Sequence, residues 1–225
     1  MPIQTCIFDM GNVLVFFSHD RMIQNIAGIS GADKAGIRDF LFRDGFQDAI
    51  ETGRLSENEF HQQFEQQLGV SVSLDDLRHA LGNIFELNEP MLPLLDDLRN
   101  AGVRLVLLSN TCRTHIDFVR QNWDVLDRFD AVTTSCEVGA MKPDPRIFES
   151  AIRQANCPAA LAMRRSSTLA HGLIAEWPCH ARVLGSDSFW PVLREWLPQE
   201  WNWQATALRK QRSVSWPPCL PNLVA

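Results

Sequence analysis

Hydrophobic and polar positions along this chain follow two rhythms. Strand-like apolar runs occur at residues 3–8, 103–108 (VRLVLL, apolar at nearly every position) and 129–134, with weaker ones at 161–163 and 181–184. Continuous apolar runs of this length predict strands covered on both faces. Between them, apolar residues recur every third or fourth position. Residues 91–101 (MLPLLDDLRNA) read as a helix stopped by Gly102, and residues 145–156 as a helix opened by Pro145. This alternation predicts an α/β fold with a doubly wound parallel sheet.

Residues 18–88 break the alternation and read as wholly helical. Ser56 and Glu59 form a capping-box pattern, after which Phe60, Phe64 and Leu68 share one helical face. A second helix is predicted over 73–85, with Leu74, Leu77, Leu81 and Ile84 as its stripe. The segment is expected to be a small helical cap inserted after the first strand, over the sheet's active edge. The core then comprises 1–17 and 89–198, and the cap 18–88. Residues 199–225, rich in proline and without period, form an irregular tail whose Arg209, Lys210 and Arg212 are read as solvated.

Composition narrows the choice of partners. With 225 residues, 45% hydrophobic and 21% charged, the chain can build one substantial core, or a core domain plus a smaller one. A net charge of −6 argues against general nucleic-acid binding, and it means that any site for an anion must be local. The six cysteines (6, 112, 136, 157, 179 and 219) show no CxxC spacing, so they are read as reduced thiols of a cytoplasmic protein without a zinc site. No signal-peptide pattern or run of membrane-span length is visible.

Three chemical signals fall at strand ends. Asp9 follows the first strand in IFDMGNVLV, Ser109-Asn110 follows the second in LLSNT, and Lys142 precedes a helix in MKPDPRIFE. Each has a plain reading as a turn carboxylate, a turn hydroxyl or a surface lysine. Together they make a phosphoryl site. A carboxylate attacks phosphorus, a hydroxyl and backbone N–H groups hold phosphoryl oxygens, and a lysine neutralises charge. Open α/β folds bind ligands at this carboxyl edge. His115, one turn past the second signal, reads as a helix residue near the site rather than a base.

The three stretches FDMGNVLV, LLSNT and EVGAMKPDPRIFE, with ETGRLSENEF in the insert, resemble the haloacid dehalogenase-like hydrolase superfamily over about residues 3–156. The resemblance is to the subfamily with a helical cap after the first motif, in particular bacterial sugar-phosphate phosphatases of the alpha-D-glucose-1-phosphate phosphatase type. It implies a Rossmann-like core and a phosphomonoester hydrolase acting on a small phosphorylated metabolite through an aspartyl phosphate. It further implies Asp9 as nucleophile and Mg²⁺ ligand, the Gly11 backbone carbonyl as a second Mg²⁺ ligand, Ser109 and Asn110 as phosphate-binding residues and Lys142 as charge clamp.

Two departures from the superfamily stand out. Most of its phosphatases carry an aspartate where this chain has Gly11, although the nearest pattern shares the glycine. The fourth motif, an acidic pair for Mg²⁺, is not recognisable, since residues 157–175 contain no Asp or Glu and its slots fall near Arg165 and Ser166. Weak Mg²⁺ binding and impaired activity are the expectation, with Arg164 or Arg165 bringing positive charge to the metal position. Two other readings stay open: a metal-free dehalogenase-type hydrolase, which Ser166-Ser167 would suit, and a non-catalytic binder of a phosphorylated ligand or a protein partner.

Overall fold

The computed structural model describes residues 5–156, 164–165, 173–177 and 181–185. In chain order, strands β1 (Thr5–Phe8) and β2 (Val15–Phe17) lead into helices α1 (His19–Ser30) and α2 (Lys34–Arg38), a π-helical turn (Asp39–Arg43), α3 (Phe46–Glu51), α4 (Glu57–Leu68) and α5 (Leu74–Gly82). Then come β3 (Phe85–Leu87), α6 (Met91–Asn100), β4 (Arg104–Ser109), α7 (Arg113–Asn122), β5 (Ala131–Thr134), α8 (Ser135–Val138) and α9 (Pro145–Gln154). Three further strands follow: β6 (Arg164–Arg165), β7 (Leu173–Trp177) and β8 (Ala181–Gly185).

The main sheet has the order β5-β4-β1-β8-β7-β6. Strands β5, β4, β1 and β8 run parallel, as the α/β alternation predicts, and β7 and β6 add an antiparallel margin. β1 lies between β4 and β8, and all four of its residues are buried. That burial explains why its alternation of polar and apolar positions vanishes. The carboxyl ends of β1 and β4 therefore open side by side, with Phe8 opposite Leu107 in the ladder.

The cap is helical where its stripes predicted. Ser56 and Glu59 make the reciprocal capping box of α4, and Ser73 caps α5. Phe40 stacks on Phe46 at 4.2 Å and meets Phe60 and Phe64 edge-on. Phe40, Phe60 and Phe64 are fully buried, each contributing about 1.5–3 kcal/mol of apolar transfer free energy.

The wholly helical reading of 18–88 needs one correction. The segment ends in β3, which pairs antiparallel with β2 in the register Val15–Leu87, Phe16–Glu86 and Phe17–Phe85. Three residues are too few to display a period of two, and tertiary pairing decides their conformation. The predicted helix over 73–85 likewise stops at Gly82. Ile84 stays buried although it lies beyond the helix.

Of the stretch where the fourth motif was sought, Arg164 and Arg165 are described, as β6. On the side of β1 away from β4 lies β8, and β6, which carries Arg164 and Arg165, lies three strand spacings from β1. At about 4.8 Å per spacing that is roughly 14 Å, so the backbone of this pair does not lie beside the nucleophile strand. Residues 161–163, Ser166, Ser167 and the 199–225 tail lie outside the described residues.

Candidate active site

Asp9 leaves β1 at the point where the chain must turn. The Met10 carbonyl accepts the N–H groups of Val13, Leu14 and Val15 at 3.3, 2.9 and 3.1 Å. Asn12 takes the left-handed conformation at φ 57°, which asparagine tolerates better than most residues. Leu14 and Val15 are buried, so the loop is anchored by its own apolar end. The Asp9 carboxylate accepts the Met10 N–H at 2.8 Å, which aims the side chain across the strand ends.

Lys142 reaches the same carboxylate. Its Nζ lies 2.8 Å from Asp9 Oδ1, and each side chain is only 8% exposed. A further N–H of the ammonium donates to the Leu108 carbonyl at 3.2 Å. The backbone of Lys142 is pinned by Asn110: the Lys142 N–H donates to Asn110 Oδ1 at 2.7 Å, and Asn110 Nδ2 donates to the Lys142 carbonyl at 3.1 Å. Ser109, buried at the end of β4, lies between these groups in sequence, its Oγ 3.4 Å from the Asn110 carbonyl. The three sequence signals thus meet at one sheet edge.

The next turn ties this edge to the cap. Ser135 Oγ accepts the Thr111 N–H at 2.8 Å and faces the Glu51 carbonyl at 2.6 Å and the Thr111 carbonyl at 3.1 Å. Two residues on, Gly53 has φ 67°, and a Cβ placed there would lie 2.5 Å from the Cys136 carbonyl oxygen. Only glycine permits that approach of cap backbone to core backbone. A cleft of about 610 Å³ is lined by Thr52 and Arg54 of the inserted segment and by Met141, Pro143, Asp144 and Arg146, neighbours of Lys142 in sequence.

Glu51 is the titratable group that the sequence analysis missed. Its stretch, ETGRLSENEF, was read for helix capping and for its resemblance to the family, without a role for Glu51. Burial pushes its carboxyl up to about 6, against the opposing pull of a hydrogen bond from Gln47 and of the nearby Lys142 ammonium. Gln47 Nε2 donates to Glu51 Oε1 at 2.5 Å. His115 behaves as the sequence suggested. It is buried on α7 with its ring 5.2 Å from Phe85, and burial depresses its pKa to about 4.

For a metal, the described residues offer the Asp9 carboxylate and the Gly11 carbonyl. The loop bonds Asn12 N–H to Val15 and Val15 N–H to Met10 engage the neighbours' carbonyls rather than that of Gly11. Among the described residues no group of three or more His, Cys, Asp or Glu stands together. A Cβ on Gly11 would lie 2.9 Å from Phe17 Cε1, so this ring covers the direction a side chain at 11 would take. No described helix is long and apolar enough to cross a membrane.

Several known proteins are similar to this chain in sequence or in fold. D-ribitol-5-phosphate phosphatase of Bacteroides thetaiotaomicron is 27% identical over 163 residues, 68% of this chain and 78% of that protein. Glyceraldehyde 3-phosphate phosphatase of Methanothermobacter thermautotrophicus is 41% identical over 69 residues, 28% of each chain. Among solved structures, a HAD family enzyme of Bacteroides thetaiotaomicron in complex with magnesium and inorganic phosphate superposes with a TM-score of 0.61. It is 28% identical, and the match covers 68% of this chain and 79% of that one. The pattern of the haloacid dehalogenase-like hydrolases matches residues 3–163, which include Asp9, Ser109 and Lys142, and the chain is therefore a hydrolase of that family.

Proposed function

We propose that this hydrolase is a phosphatase of small phosphorylated metabolites, of the sugar-phosphate type, working through an aspartyl phosphate on Asp9. The observation that carries the proposal is the buried 2.8 Å pair of Asp9 and Lys142 at the carboxyl end of β1. A buried ion pair is an inefficient way to stabilise a fold. A carboxylate held at an open strand end by a lysine is suited to attack phosphorus while the ammonium faces the phosphoryl oxygens. Ser109 supplies a hydroxyl to those oxygens. The Asn110 amide is engaged with Lys142, so the contribution of Asn110 to phosphate is assigned to its backbone N–H. The relatives named above act on ribitol 5-phosphate and glyceraldehyde 3-phosphate.

Mg²⁺ is the metal assigned to the site, as in the magnesium-bound relative. The donor set fits at its lean end, with one carboxylate and one carbonyl from the protein and the remainder from phosphate and water. Bound between Asp9 and Gly11, the ion would offset the repulsion between carboxylate and phosphate. Weak affinity is the expected consequence of having Asp9 as the single carboxylate assigned to the metal among the described residues. A cytoplasmic setting is assigned from the cysteine spacing. A small phosphate ester, not nucleic acid or membrane, is the assigned partner.

The test compares the unsubstituted chain with Asp9→Asn, after circular dichroism shows equal folding, using sugar phosphates with and without Mg²⁺. Metal-dependent phosphate release that vanishes in Asp9→Asn is expected. Equal turnover by both proteins would remove Asp9 from its role.

A further inference from the structure

Expelling a sugar alcohol from phosphorus requires a proton, because an alkoxide is a far stronger base than the phosphoryl site can release unaided. In the proposed site Asp9 is the nucleophile and Lys142 is paired with it. Position 11 has no side chain, and the ring of Phe17 covers the space one would fill. The proton must come from another element.

We propose that Glu51, brought in by the cap, is the proton donor to the leaving alcohol and the base for the water that follows. The inference rests on the phosphatase reading. Its geometry stands on three contacts. The Glu51 carbonyl meets Ser135 Oγ, the same hydroxyl that receives the N–H of Thr111, so Glu51 hangs from the loop that carries Ser109 and Asn110. Gly53 packs backbone to backbone on Cys136 and fixes the approach of the whole segment. Gln47 holds the carboxyl itself. The charged and titratable groups facing it are Lys142 from the core, Asp48 from its own helix and the buried Cys112 thiol before α7.

The steps balance as follows. An Asp9 oxygen bonds to phosphorus while the bond from phosphorus to the ester oxygen breaks. That electron pair leaves on the ester oxygen, which takes the Glu51 proton and departs as alcohol. The Glu51 carboxylate then takes a proton from a water whose oxygen attacks phosphorus. The Asp9–phosphorus bond breaks, its electron pair returns to the Asp9 carboxylate, and inorganic phosphate leaves with Glu51 protonated again. A carboxyl with a pKa of about 6 can both give and retake a proton near neutrality. Turnover is thereby tied to the seating of this segment on the core through Ser135 and Cys136.

The experiment uses the full chain and two esters, an alkyl sugar phosphate and p-nitrophenyl phosphate, whose phenolate leaves without a proton. Glu51→Gln is expected to lose roughly 10²–10³-fold on the alkyl ester. On the aryl ester it should release one equivalent of nitrophenol per site and then stall, because the aspartyl phosphate lacks its base. Glu51→Asp should recover part of the alkyl activity. The fall of kcat/KM above pH of about 6 for the alkyl ester should disappear in Glu51→Gln. Alkyl turnover by Glu51→Gln within a few-fold of the parent, with Asp9→Asn inactive, overturns this inference alone. So does an equal loss on both esters without a burst and without recovery in Glu51→Asp. No turnover of either ester by the unsubstituted chain overturns the phosphatase reading, and this inference with it.

Discussion

Replacing Gly53 by alanine tests how the cap is seated. Two costs add at this position. The backbone sits at φ 67°, where an L side chain costs about 1–2 kcal/mol. The new Cβ would stand 2.5 Å from the Cys136 carbonyl oxygen, a backbone atom that cannot swing away. Relieving that overlap by shifting the cap adds about 1–3 kcal/mol, as for other overpacked contacts. The sum is about 2–5 kcal/mol. Gly69 is the internal control, since its φ is 65° but its Cβ would meet nothing within 4 Å. Gly69→Ala should therefore cost only the conformational part. Urea unfolding of the two variants and the parent, followed by circular dichroism, gives both numbers on one scale. Gly53→Ala should be the less stable variant by the size of the overlap, and its phosphatase rate should fall while that of Gly69→Ala holds. Equal destabilisation by the two substitutions would refute the close seating of residue 53 on Cys136, and with it the placement of Glu51.

Removing the ammonium in Lys142→Met leaves the buried Asp9 carboxylate uncompensated, and urea unfolding at pH 7 should register a loss of about 3–5 kcal/mol. Glu51 has a folded pKa raised from 4.5 to about 6, so its contribution to stability is fully present below 4.5 and lost as pH rises through 6. Glu51→Gln should accordingly be more stable than the parent by up to about 2 kcal/mol at pH 7, with the gain gone near pH 4, in paired denaturation curves. His115, with its pKa lowered from 6.5 to about 4 by burial, acts in the opposite sense. Its contribution is present above 6.5 and lost as pH falls toward 4, about 3 kcal/mol in all, and His115→Leu should flatten that part of the pH–stability profile.

What could be read from the chain beforehand depended on how local the cause was. The capping box at Ser56 and Glu59 is written within four residues and appears as drawn. Asp9, Ser109 and Lys142 could be placed at one edge because each ends or follows a strand-like run in a parallel fold, and parallel strands put those ends together. β3 escaped because its three residues are strand only through pairing with β2. The engagement of Asn110 with the backbone of Lys142 escaped because nothing local links residues 32 positions apart. Glu51 escaped for the same reason: its raised pKa comes from burial and from a lysine on a different element. The position of β6, at the margin rather than beside β1, follows from the choice of β8 as the central neighbour, and pairing of this kind leaves no trace in composition.

The β2–β3 ladder also bears on how the molecule could be rebuilt. Phe17 and Phe85 are direct partners in an antiparallel pair, so the two ends of the intervening segment stand about 4.5–5.5 Å apart. From the standpoint of the core, the cap is a long excursion between two points that a tight turn could also join. Everything from residue 18 to 84 can then be exchanged as a cassette: a different insert needs only adjacent antiparallel ends to graft onto the same Asp9, Ser109 and Lys142. By the reasoning above, a graft lacking a carboxyl at the place of Glu51 would keep the nucleophile and the clamp. It should be confined to esters whose alcohols depart without a proton.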